Sequence, residues 1–168
     1  LGVAGVLLTG GKQYIVCTNI EVPRMATEEN LEDQGYDIRG FPWYENAEAG
    51  LVASLAGKRF GADHAFPGAV NISDQLNPLR YSLTETEVER YKEQGRLTAL
   101  AAEEAAREIR PGDRECAVIG NLAQKLWSRN MDFILVFCAA DDRISTYRHP
   151  VATDRKIEKR AMISVNSR

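Results

Sequence analysis

Residues 84–112 restrict the folds open to this chain more than any other stretch. Thr84 is a favourable N-cap, and Glu87 follows three residues later, the spacing of a capping box. Glu85, Glu87 and Glu89 suit the positive end of a helix dipole. Leu97, Ala101, Ala105 and Ile109 share one i+4 row, and Glu103 can pair with Arg107. Pro111-Gly112 stops the pattern. A helix of this length spans roughly 40 Å at ~1.5 Å per residue.

Its neighbours in sequence follow directly. Glu115 to Arg129 reads as a second amphipathic helix with Val118, Ile119, Leu122, Leu126 and Trp127 on its apolar side. Asn130 suits a left-handed cap. Phe133 to Cys138 is apolar at every position, so it is expected to be a strand buried on both faces. A polar stretch from Asp141 to Pro150 comes next, then Thr153-Asp154-Arg155-Lys156, then a last strand-like run, Ala161 to Asn166.

The front of the chain is written differently. Residues 1–8 and 13–18 are strand-like and flank Gly10-Gly11, which reads as a hairpin. The opening run has neither a basic segment before it nor a clear cleavage site after it, unlike a secretory signal. Pro23 to Gln34 has helical potential ending at Gly35, and Tyr36 to Arg39 suits a short strand. Residues 45–56 read as a helix closed by Gly57, and Lys58 to Asp63 as another strand. Pro67 to Pro78 is expected to be loop. Alternating strands and helices indicate an α/β domain over residues 1–78, with a boundary at about Leu79 to Leu83 and a second domain over 79–168. A chain that starts and stops on strands is expected to be a piece of something longer.

Composition narrows the function. With 168 residues, 44% hydrophobic and 27% charged, the chain is of globular type. A net charge of -3 argues against a nucleic-acid partner, and no apolar run reaches membrane-spanning length. Cys17, Cys116 and Cys138 are widely spaced, which suggests buried free thiols in a cytoplasmic protein rather than a disulfide framework or a zinc site. Trp43 and Trp127 look structural.

Chemistry concentrates after the Phe133–Cys138 run. His149 is one of two histidines and the best available general acid or base, although a lone histidine is more often structural. Arg143 and Arg148, with Tyr147 between them, suit a substrate carboxylate; the alternative is surface pairing with Asp141, Asp142 and Asp154. Asp141 and Asp142 point to opposite sides of an extended chain, so they cannot easily share an ion. His64 reads as a loop residue. No P-loop, dinucleotide glycine fingerprint or nucleophile elbow is present.

Three landmarks change the weighing. Arg110-Pro111-Gly112-Asp113-Arg114-Glu115 closes a long amphipathic helix. A helix and a strand follow, and then His149-Pro150-Val151-Ala152-Thr153-Asp154-Arg155-Lys156-Ile157-Glu158-Lys159. This order and spacing resemble the creatinase / aminopeptidase P superfamily, the pita-bread family of Xaa-Pro aminopeptidases and dipeptidases. Leu79 to Thr84 is similar to the family's approach to its long helix. Residues 1–78 look like its creatinase-type N-terminal α/β domain, and 79–168 like the first half of its catalytic domain.

The resemblance implies an α/β (α+β) fold and a hydrolase of C–N bonds acting on a small peptide or amide. It implies His149 as the catalytic residue in contact with substrate, and it permits a homodimer, a common assembly in the family. The family's peptidases hold two divalent ions, manganese, cobalt or zinc, on Asp, Asp, His, Glu and Glu. The place of the first Asp is taken here by Asn166, and the Gly and Asp usual just before that strand are Arg160 and Ala161. A neutral amide lacks the charge such an ion needs, so no cofactor is expected from these residues; the other four ligands would lie beyond Arg168, and a divalent metal is expected only if the family's peptidase chemistry is retained. Three readings stay open. One is an Xaa-Pro peptidase with an impaired metal site. Another is a creatinase-like, metal-independent hydrolase working through His149. The third is a non-catalytic module that binds peptide or protein. Residues 1–168 alone are expected to be inactive.

Overall fold

The computed structural model describes residues 4–57 and 59–168. The fold is mixed α/β and divides into two compact units, Leu1–Ser82 and Leu83–Arg168.

In the first unit, β1 (Ala4–Thr9) and β2 (Lys12–Thr18) form an antiparallel hairpin with Thr9 opposite Lys12. Gly10 and Gly11 turn the chain at φ 53° and 83°, both in the left-handed region that a tight two-residue hairpin turn demands. Residues 1–3 of the expected first strand, and Lys58 of the expected later one, lie outside the described residues. β3 (Asp37–Phe41) runs parallel to β2, making a three-stranded sheet in the order β1-β2-β3. The crossover between them carries α1 (Val22–Thr27), whose Met25 packs on Ile15 and Cys17.

The helix expected to reach Gln34 stops at Thr27. The Thr27 hydroxyl donates back to the Pro23 carbonyl, and Asn30 takes a left-handed φ of 50°. From there the chain closes into turns around Leu31. α2 (Glu48–Ala56) ends at Gly57, at φ 82°, as the sequence indicated. The Pro67–Pro78 stretch is not simply loop. It contains β5 (Val70–Asn71), parallel to β4 (Gly61–Ala62), then α3 (Ser73–Leu76) and the start of a 3-10 turn, Asn77–Arg80.

The second unit is built on α4 (Glu85–Glu108). Its capping box is complete: the Glu87 backbone N–H donates to Thr84 Oγ1, and the Thr84 N–H donates to the Glu87 carboxylate. Ala101 and Ala105 are fully buried, and their small side chains let α5 (Glu115–Trp127) seat Leu122 and Leu126 against them. Asn130 then takes φ 56°, the left-handed position foreseen for it. β6 (Phe133–Ala140) pairs antiparallel with β7 (Ala161–Ser167).

The register of that pair assigns its two faces. Val136, Cys138, Ala140, Ala161, Ile163 and Val165 pack toward the helices. Leu135, Phe137, Ser164 and Asn166 alternate with them and point the other way, Leu135 opposite Asn166 and Phe137 opposite Ser164. This corrects the expectation of a strand buried on both faces. The long helices α4 and α5 cover one face; on the other, Leu135 is exposed although Ala139 is buried, and Ile134 is exposed at a register shift. Trp127 and Trp43 are likewise exposed, not core residues. Among the described residues, no helix is long and apolar enough to cross a membrane.

Candidate functional site

The candidate site lies on the helix-free face of β6 and β7. β6 ends at Ala140, and Asp141 turns the chain at φ 50°. The Asp141 carboxylate accepts the backbone N–H groups of Glu158, Lys159 and Arg160, each at 2.9 Å. Those hydrogen bonds hold its pKa below the usual carboxylate range. Asp141 is therefore a cap on the approach to β7. Asp142 pairs with Arg155 at 2.8 Å. Residues Arg143–Thr146 make one helical turn, α6, and the exposed Tyr147, Arg148 and His149 follow, ahead of the buried Pro150.

His149 is exposed and its ring stacks on Phe137, with centroids 5.4 Å apart and planes 27° from parallel. Phe137 belongs to the helix-free face, and Asn166 sits on that face opposite Leu135, two residues along β6. Two residues of strand are about 7 Å. The imidazole and the amide thus share one side of the sheet, with the exposed Ser164 beside them.

The two arginines differ. Arg143 Nε donates to Glu115 Oε1 at 3.0 Å, its Nη2 donates to the Val151 carbonyl at 2.9 Å, and its guanidinium lies 5.0 Å from the Tyr147 ring centroid. It is engaged within the protein. Its partner is Glu115, not the surface acids weighed from sequence. Arg148 is exposed and no ion pair holds it among the described residues. Tyr147 is half exposed.

Glu115 closes the Arg110–Glu115 landmark, and the motif alone gives it no role. It is fully buried, and its carboxylate accepts four donors: Ala140 N at 2.8 Å, Arg143 Nε at 3.0 Å, Thr153 N at 2.9 Å and Thr153 Oγ1 at 2.7 Å. A signal was present. Glu115 stands on the same stripe of α5 as Val118 and Leu122, where a charge must find partners.

The thiols take no part in the site. Cys17 and Cys138 are buried, and Cys116 is exposed, contrary to the expectation of three buried thiols. Burial pushes the Cys138 thiol up to about 11 and Cys17 upward too, which leaves both poor nucleophiles. In the first unit, His64 and then Arg80 pull Asp63 down to about 2, at 2.9 and 2.7 Å respectively.

Among the described residues, no three His, Cys, Asp or Glu groups gather where an ion could sit. The face beside His149 offers the Ser164 hydroxyl and the Asn166 amide, both neutral. A two-ion centre needs bridging carboxylates, and these two side chains supply none.

Comparison with solved structures places the fold. The X-Pro aminopeptidase from Thermotoga maritima MSB8 superposes with a TM-score of 0.73 at 15% identity, over 98% of this chain and 49% of its own. The Xaa-Pro dipeptidase from Bacillus anthracis gives 0.65 at 17% identity, over 98% and 50%. The dipeptidase PepE from Mycobacterium ulcerans gives 0.65 at 18%, over 98% and 48%. No family model and no curated protein matches the chain. The fold is that of the Xaa-Pro peptidases, the pita-bread fold that the sequence landmarks pointed to. The chain spans about half the length of these structures.

Proposed function

We propose that this chain is the first half of a hydrolase of C–N bonds of the Xaa-Pro peptidase type, working through His149 and not through an ion held at Asn166. The observation that carries the proposal is the seat of His149: stacked on Phe137, exposed, on the same helix-free face as Asn166. An exposed imidazole is the side chain best suited to exchange protons with water and substrate near neutral pH. Neutral His149 takes a proton from water as the water oxygen bonds to the carbonyl carbon. It returns that proton to the nitrogen as the C–N bond breaks. Arg148 has the open guanidinium suited to a substrate carboxylate, with Tyr147 beside it.

The neutral Asn166 favours a second form of the same reading, a creatinase-like hydrolase of a small guanidino or amide compound that needs no metal. Free thiols suit a reducing, cytoplasmic setting. Because the chain spans half of its structural relatives, the activity is proposed for a polypeptide that also carries the other half.

The test is hydrolysis of an Xaa-Pro dipeptide, and separately of creatine, by that polypeptide in the presence of EDTA. Turnover of either in chelator supports the proposal. Turnover restored only by manganese, cobalt or zinc contradicts it. Peptide binding without turnover, unaltered by His149→Ala, assigns the chain to a binding module instead.

A further inference from the structure

We infer that Glu115 is the positioning residue of this site: through Thr153 and Arg143 it fixes both ends of the segment that carries His149. The inference rests on the reading of His149 as the working group. The imidazole makes a ring stack on Phe137 and no hydrogen bond among the described residues, so apart from that stack its place is set by the backbone that carries it. Between Ala140 and Thr153 that backbone has one helical turn, α6, and no strand partner.

One carboxylate supplies the missing restraint. Oε1 of Glu115 accepts Ala140 N, where the segment leaves β6, and Arg143 Nε, at the start of α6. Oε2 accepts both the backbone N–H and the hydroxyl of Thr153, where the segment rejoins the body of the unit. Arg143 then reaches across to the Val151 carbonyl, which ties the two limbs together on either side of His149.

The two sequence landmarks prove to be one structural unit. Gly112 N donates to Ile157 O, Ile157 N to Asp113 O, Glu115 N to Arg155 O and Cys116 N to Thr153 O. The Pro-Gly-x-x-Glu turn and the Thr-Asp-Arg-Lys loop are thus laced together, with the carboxylate at the centre. Three of the four groups facing Glu115, two backbone N–H groups and a guanidinium, can only donate, so in either orientation a glutamine would aim an N–H at one of them. That explains a carboxylate at this position. It also explains why Glu115 does no proton transfer itself, since its oxygens are occupied and shut off from solvent.

The test is NMR of the histidine ring C–H resonances in the 168-residue chain. His149→Gln assigns the signals, and His64, in the other unit, is the internal control. In the native chain the Phe137 ring current displaces the His149 signals from free-histidine values. Glu115→Gln and Thr153→Val are expected to move them toward those values, and Thr153→Ser, which keeps the hydroxyl, to restore them. Unmoved signals in Glu115→Gln and Thr153→Val overturn the inference, as does a Thr153→Ser chain that behaves like Thr153→Val. Should Glu115→Gln not fold, the Thr153 pair decides. The readout needs no turnover. An inactive His149 would therefore defeat the proposed function and leave this result standing.

Discussion

Removing the Glu115 carboxylate takes the acceptor from four donors at once, and the cost follows from where each one sits: the two on exposed Thr153 can turn to water. Ala140 is fully buried, so its N–H has no route to water. A buried donor left without a partner costs about 1–3 kcal/mol. Arg143, its side chain 19% exposed, recovers part of its hydration. The contributions overlap because all four donors share one acceptor, so they do not add. Breaking a buried charged pair by deleting one partner costs about 3–5 kcal/mol, and Glu115→Ala is expected in that range. That is a large share of the ~5–15 kcal/mol that holds a domain together.

The pH dependence has a definite sign. Burial, the largest single influence, raises the Glu115 pKa. Hydrogen bonds from the Thr153 side chain, Ala140 N and Thr153 N, together with Arg143, outweigh it and hold the folded value below normal. The stabilisation is therefore complete above the unfolded glutamate pKa of about 4.3. It is lost as pH falls through the lower folded value. Urea unfolding followed by helical circular dichroism, at pH 7 and again near pH 3, reads both effects. The gap between native and Glu115→Gln chains should be wide at pH 7 and narrow in acid. A Glu115→Ala loss under about 1 kcal/mol, or a pH-independent gap, would refute the reasoning.

Other expectations come from the same structure. Thr84→Ala should cost about 1 kcal/mol by removing the capping hydroxyl of α4, read by urea unfolding. Leu122→Ala should cost about 2–5 kcal/mol, since the side chain is fully buried between helix and sheet, read the same way. Asn166→Asp should not create tight manganese binding in titration calorimetry, because one carboxylate on the open face still lacks the partners that bridge two ions.

How much of this was legible depended on how local each determinant is. The capping box of α4, the Gly10-Gly11 turn and the Asn130 cap are settled within a few residues, and the sequence displayed them. The early end of α1 depended on a hydroxyl turning back to Pro23 and on Asn30 going left-handed, which helical potential does not register. The exposure of Ile134 and Leu135 could not be read from an apolar run, because burial of a strand is decided by what lies over it. His149 was identified by its place in a motif, and the structure added Phe137 beneath it. Glu115 needed a different question: why a charge sits on the apolar stripe of α5.

The central claim is that the imidazole at position 149 moves the proton in C–N hydrolysis. It is tested most directly by the turnover of His149→Gln in the polypeptide that carries both halves of the domain, with substrate saturating. Loss of positioned acid–base catalysis is expected to lower kcat by about 10²–10⁴-fold, with folding intact. A kcat within a few-fold of the native value would contradict the account.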